Sequence, residues 1–253
     1  MTTDRAAMHR IACGEVWGGI KDADLSACTA SLHVDLYSAA CRGGRGGDIY
    51  YMTVCDSDML TRIVVADVVG HGDTVSTVSD WVYRSLRANM GQPNGARLLE
   101  GWNRRLGDHT MASLTTAAMV QVVASQGRMM FCYAGHPPVL IRRAADSRWE
   151  PLELSETRGE NLPLGLDTGT RYDQQSAPVG PGDRLLMYTD GVTEAMDTQG
   201  RQFGVDRLID SLDALDGAEL HEVKSHVLER VRDHAGGGFH HDDITLLLLE
   251  VSG

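Results

Sequence analysis

The chain has almost no lysine: only Lys21 and Lys224 occur in 253 residues, and every other basic side chain is an arginine. Basic residues number 23 against 35 acidic ones, for a formal charge of −12. That balance opposes non-specific attraction to nucleic acid or to an anionic membrane, so neither is expected as a partner. Cysteine is sparse as well. Cys13, Cys28, Cys41, Cys55 and Cys132 are odd in number and never spaced as Cys-x-x-Cys, which fits a reducing cytoplasm better than a disulfide scaffold. Long apolar runs are missing. The longest, residues 244–249 broken only by Thr245, is strand-sized and far short of the roughly 20 residues that span a bilayer. No basic segment followed by an apolar stretch opens the chain, so no secretory leader is expected and the location expected is cytoplasmic.

Several catalytic signatures are absent too. No cysteine has an arginine six residues on, which excludes the cysteine-dependent phosphatase loop. No Gly-x-Ser-x-Gly elbow occurs, and neither lysine completes a phosphate-binding P-loop. A metal phosphodiesterase acting on nucleotides is disfavoured by the acidic charge and the lack of an evident base-stacking groove.

What is present is a core-forming pattern, with 42% hydrophobic residues. Residues 1–30 show no clear period and are set apart as an N-terminal extension of unclear role; residues 31–253 read as one domain without an internal linker. Partly alternating runs at 32–40 and 48–54 flank a glycine-rich break, which predicts a hairpin, and a second hairpin links 48–54 to 61–66. Val75, Val78, Val82, Leu86 and Met90 then recur at helical steps, followed by a shorter helical face at Leu98, Leu99, Trp102 and Leu106. Strand-like runs at 116–124, 128–134 and 139–142 predict an antiparallel meander. A loop-rich stretch follows, then a strand at 184–189. Helical faces at Val205 to Leu215 and Leu220 to Val231 precede the closing strand. Strand runs alternate with helix pairs in blocks, which argues for an α+β fold of antiparallel sheets and helices.

Four aspartates occupy matching places in that pattern. Asp67 and Asp190 follow the ends of apolar strands, whereas Asp48 and Asp242 precede the starts of others. Antiparallel pairing sets the start of one strand beside the end of its neighbour, so all four can meet at one sheet edge. Clustered carboxylates persist only with protons or cations among them. An all-oxygen set selects magnesium or manganese, and two such ions about 3.5 to 4 Å apart activate water and orient a phosphoryl group. Singly, each aspartate also reads as ordinary turn chemistry beside glycine.

Six blocks carry a resemblance: Gly46-Gly47-Asp48, Ala66-Asp67-Val68-Val69-Gly70-His71-Gly72, Ala134-Gly135-His136-Pro137-Pro138, Leu162-Pro163-Leu164-Gly165, Tyr188-Thr189-Asp190-Gly191-Val192-Thr193-Glu194 and Asp242-Asp243-Ile244-Thr245. In this order they resemble the metal-dependent protein serine/threonine phosphatase superfamily (PPM, type 2C), in its bacterial SpoIIE/RsbU-like branch. The resemblance implies two packed antiparallel β-sheets flanked by pairs of α-helices, with two divalent cations, Mn2+ or Mg2+, at one end. It implies that Asp67 bridges the metals with the Val68 carbonyl as a further ligand. Asp190 and Asp242 would complete one shell, and Asp48 would serve the other. A hydroxide bridging the metals would attack phosphorus directly. The implied substrate is phosphoserine or phosphothreonine on a protein, a small anti-sigma-factor antagonist in a partner-switching pathway.

His71 is a candidate general acid toward the leaving alkoxide, though it equally suits turn packing between two glycines. Arg42 and Arg45 are candidates to hold the phosphate, or they simply solvate the loop. Tyr51 stands where many members of this branch carry a second aspartate. His136 reads as a turn residue, His240 and His241 as supporting or solvated neighbours of Asp242, and Glu194 as a cap. The helices that follow Asp67 are expected to transmit the effect of an activator protein or a homodimer mate. The competing function is a catalytically weak or inactive binding module of the same fold that regulates a partner protein.

Overall fold

The computed structural model describes residues 8–41, 45–55, 60–69, 73–89, 91–107, 114–155, 161–239 and 242–253. In chain order the strands β1 (His9–Arg10), β2 (Val16–Lys21), β3 (Ala23–Cys28), β4 (Leu32–Ala39), β5 (Arg45–Cys55) and β6 (Leu60–Val68) lead into helices α1 (Asp73–Asn89) and α2 (Gly95–Gly107). Strands β7 (Thr115–Val123), β8 (Arg128–Ala134), β9 (Leu140–Arg142), β10 (Trp149–Pro151), β11 (Gln174–Pro178) and β12 (Arg184–Tyr188) follow. The chain closes with the short helix α3 (Asp190–Thr193), then α4 (Gly204–Asp213), α5 (Leu220–His234) and β13 (Ile244–Val251).

The strands form two sheets, one ordered β1-β3-β4-β13-β12-β9-β10 and the other β11-β8-β7-β6-β5-β2. Pairing is antiparallel except between β1 and β3. Strand alternation explains the unbroken apolar character of β13. Leu247, Leu249 and Val251 face the space between the sheets, while Ile244, Leu246 and Leu248 pack under α4 and α5. β6 is built the same way, with Ile63 and Val65 between the sheets and Val64, Ala66 and Val68 under α1 and α2. Two sheets flanked by helix pairs are the architecture expected. Among the described residues no helix is long and apolar enough to cross a membrane, and none of the five cysteines forms a disulfide.

Three expectations need correction. The hairpin drawn between 32–40 and 48–54 is a crossover: β4 pairs with β3 and β13, while β5 pairs with β2 and β6 in the other sheet. Glycines break a strand pattern alike whether the chain reverses or changes layer. The meander stops after β8, because β9 joins β10 and β12 across the sandwich. Finally, residues 9–28, set apart as an extension, supply three strands to the sheets. Lys224 of α5 ties that segment down, with Nζ 2.6 Å from Asp24 of β3 and 3.2 Å from Asp35 of β4.

Candidate metal centre

Asp48 of β5 and Asp67 of β6 lie directly opposite one another in the antiparallel register. Alternation places Asp48 on the face of Tyr50, Met52 and Val54, and Asp67 on that of Ile63 and Val65. Both carboxylates therefore point toward the second sheet. There, Tyr188 at the end of β12 pairs with Leu246, and the Thr189 N–H donates to the Thr245 carbonyl at 3.0 Å. Asp190, the first residue of α3, and Asp242, two residues before β13, thus leave that sheet as neighbours.

Hydroxyls join the two sheets at this end. Thr189 Oγ1 donates to Asp48 Oδ2 at 2.8 Å and accepts the Thr245 N–H at 2.9 Å. The Ser38 and Thr245 hydroxyls lie 3.0 Å apart, also buried. A fifth carboxylate, Asp243, is only 3% exposed and accepts the backbone N–H groups of Cys41, at 2.8 Å, and of Gly47.

The electrostatics follow from this crowding. Burial, then the nearby Asp67 charge, pushes the pKa of Asp48 well above the ordinary carboxylate range. Asp67 is pushed up to about 8, first by burial and then by the charges of Asp190, Asp242 and Asp243. Burial raises Asp190, and it raises Asp242 with help from Asp190, Asp243 and Glu194, against a hydrogen bond from the Asp243 backbone. Among the described residues no arginine, lysine or histidine pairs with any of the five. Nor do three described His, Cys, Asp or Glu side chains already close round a single point. The set is all hard oxygen, acidic and without a cation of its own, which suits Mg2+ or Mn2+ and not a soft-ligand metal.

A family model described as Stage II sporulation protein E (SpoIIE) matches residues 57–252. The chain belongs to the SpoIIE family. Phosphoserine phosphatase RsbP of Bacillus subtilis (strain 168) is 23% identical over 211 residues, covering 81% of this chain and 49% of RsbP. Across three curated relatives the matched share of the relative runs from 20% to 58%, so the chain spans about half their length or less in most cases. Among solved structures, the RsbU and RsbW domains of Rv1364c from Mycobacterium tuberculosis match with a TM-score of 0.75 at 22% identity, over 92% of this chain and 62% of that one. The PP2C phosphatase domain of SpoIIE from Bacillus subtilis, solved with a fragment of its regulatory domain, matches with a TM-score of 0.71 at 18% identity, over 87% of this chain and 62% of that one. At these identities the likeness is one of fold, and it is the fold of the SpoIIE branch of type 2C domains.

Within this SpoIIE-family fold, Asp48, Asp67, Asp190 and Asp242 come to one edge, and Val68 closes β6 beside them with its side chain buried under α1 and α2. Arg45 does not join them. It is exposed at the start of β5, and three residues from Asp48 along a strand is the opposite face. Arg42, His71, His240 and His241 lie outside the described residues. Tyr51 faces away from the aspartates, edge-on to Tyr83 of α1 at 6.0 Å. His136 is buried, its Nδ1 3.1 Å from its neighbour's Pro137 carbonyl, and burial holds it neutral with a pKa of about 4. Glu194 follows α3, where its N–H donates to the Asp190 carbonyl at 2.7 Å.

Two participants escaped the sequence reading, Thr189 and Asp243. Both sit inside the quoted blocks, and the available signal was a small polar residue next to each selected aspartate. Thr189→Val is expected to lower stability by about 1 to 3 kcal/mol, because it strips Asp48 of one of its two hydroxyl donors, Thr189 and Thr245, and the Thr245 N–H of its acceptor. Thr189→Ser should recover most of that loss in urea denaturation. Gly191 is required for a steric reason: a Cβ there would overlap the Asp243 carbonyl oxygen. Gly191→Ala is expected to destabilise by about 1 to 3 kcal/mol through overpacking, read by the same denaturation.

Proposed function

We propose that this chain is a metal-dependent protein phosphatase that hydrolyses phosphoserine or phosphothreonine on a protein. The substrate that the family resemblance favours is a small anti-sigma-factor antagonist in a partner-switching pathway, in the cytoplasm. The reading is carried by one observation: carboxylates of both sheets meet at one edge with no protein cation among them in the described residues.

Asp67 would serve both of two divalent cations, Mn2+ or Mg2+, with the Val68 carbonyl as a further ligand, while Asp190 and Asp242 would complete one shell and Asp48 would serve the other. Such paired ions, when bound, lower the pKa of water and neutralise charge on a phosphoryl group. The protein's own share is orientation. Thr189 fixes one Asp48 oxygen, and the register of β5 against β6 fixes the distance between Asp48 and Asp67. His71 would protonate the departing serine or threonine oxygen, and Arg42 or Arg45 would hold the phosphate. For Arg45 this requires a substrate that reaches round the edge of β5, since its side chain begins on the far face. An activator protein or homodimer mate would act through α1 and α2, the first of which begins five residues after Val68.

The test is phosphate release from a phosphoserine protein and from a generic aryl phosphate, with and without millimolar manganese. Metal-dependent release from both, lost on chelation, supports the reading. Binding of the phosphoprotein without any release would instead favour the regulatory binding module, and inertness in both assays would remove the phosphatase.

A further inference from the structure

Asp243 is not among the residues the phosphatase reading uses, yet its carboxylate binds backbone N–H groups from two other segments of the chain. One oxygen accepts the Cys41 N–H at 2.8 Å and the other accepts the Gly47 N–H. Cys41 lies two residues past β4 in one sheet, and Gly47 lies within β5 in the other. Asp243 itself lies directly before β13, one residue after Asp242. A single side chain thus gathers three segments: the exit from β4, the start of β5 and the entry to β13.

The packing around it is equally specific. Gly46 lies against the carboxylate so closely that a Cβ would overlap it, and Gly191 lies against the Asp243 carbonyl in the same way. One glycine in β5 and one in α3 thus leave the room that this residue occupies. Gly47, which it grips, immediately precedes Asp48, whose carboxylate is held by the Thr189 and Thr245 hydroxyls. We infer that Asp243 is a positioning residue: by accepting both N–H groups it ties Cys41, just past β4, to Gly47 of β5 and so sets where Asp48 stands relative to Asp67. A carboxylate is needed for this, because both partners are donors; an amide at the same place presents one oxygen and one N–H, and the N–H would face a backbone N–H. The metal consequence of this inference rests on the phosphatase reading, whereas the clamp does not.

The experiment compares wild type, Asp243→Asn, Asp48→Asn and the double variant, with Leu248→Ala as a core-destabilised control. Two quantities are measured on each: amide hydrogen exchange in metal-free protein, and Mn2+ binding by calorimetry. In Asp243→Asn the Cys41 and Gly47 amides should exchange at least tenfold faster, with β13 amides unchanged. Mn2+ should bind at least tenfold more weakly. In the Asp48→Asn background the Asp243 change should add little further loss, since it acts through Asp48. Leu248→Ala should lower Tm while leaving Mn2+ affinity intact. Unchanged exchange at both amides overturns the clamp. Fast exchange with wild-type Mn2+ affinity, or full additivity in the double variant, overturns the positioning of Asp48. A wild type that binds no Mn2+ at all sinks the phosphatase reading and the metal consequence together, and the exchange arm still decides the clamp.

Discussion

Asp67→Asn is expected to lower metal-dependent phosphate release by about 10³-fold or more, ~4 kcal/mol of barrier, and at the same time to make the metal-free protein more stable at pH 8. The two effects have one cause. Asp67 is buried among the charges of Asp190, Asp242 and Asp243, and its pKa is pushed up to about 8. The folded metal-free chain therefore keeps a proton on Asp67 that the unfolded chain releases near the usual carboxylate value of about 4. The stability linked to this group is fully present below that unfolded value, and it is lost as pH rises through about 8. An asparagine has no charge to gain. The stability advantage of Asp67→Asn should accordingly be small at pH 5 and grow to roughly 1 to 3 kcal/mol by pH 8 to 9, the range for relieving an uncompensated buried group. Urea denaturation of both proteins in chelator, at the two pH values, checks the sign. A variant less stable than wild type at pH 8 would show that the carboxylates do not repel one another as their burial requires.

Manganese binding is expected to release protons and to strengthen steeply with pH. Asp67, pushed up to about 8 by burial and by the charges of Asp190, Asp242 and Asp243, holds a proton at neutral pH in the metal-free state. Burial with the Asp67 charge raises Asp48 as well, so both carboxyls keep protons more readily than free ones. A cation must displace them, so below about 8 each proton released weakens binding about tenfold for every pH unit of acidification. Calorimetry at pH 7 in buffers of different ionisation enthalpy should count at least one proton released per metal-loaded site, and fewer at pH 9. Saturating metal should also stabilise the fold, by about 2.7 kcal/mol at a hundred times the dissociation constant. pH-independent binding between 6 and 8 would mean that the ion sits elsewhere.

The sequence conveyed the layers of this fold better than their connections. The apolar run of β13 and the helical steps of α1, α2, α4 and α5 are strong periodic signals, because each buries a wide face. The gathering of Asp48, Asp67, Asp190 and Asp242 was readable for the same reason, since strand ends are where the period stops. Connectivity was not readable. The glycine-rich break before β5 looks like a hairpin, although the chain changes sheet there. β11, with sequence Gln-Gln-Ser-Ala-Pro, has no β-branched or aromatic residue, and it survives as an edge strand on its pairing with β8. β2 and β3 carry too few apolar residues to show a period, and their strand character comes from β4, β5 and Lys224. Thr189 and Asp243 were passed over because their roles depend on the two sheets meeting, which no local pattern reports.

The claim under all of this is that carboxylates from two sheets form one site for paired hard cations. A crystal grown with manganese, with anomalous diffraction collected at a wavelength where manganese scatters strongly, tests it most directly. Two peaks about 3.5 to 4 Å apart, bounded by Asp48, Asp67, Asp190 and Asp242, are the predicted result. Peaks only at other carboxylates, or none at this edge in manganese-soaked crystals at pH 8, would contradict it.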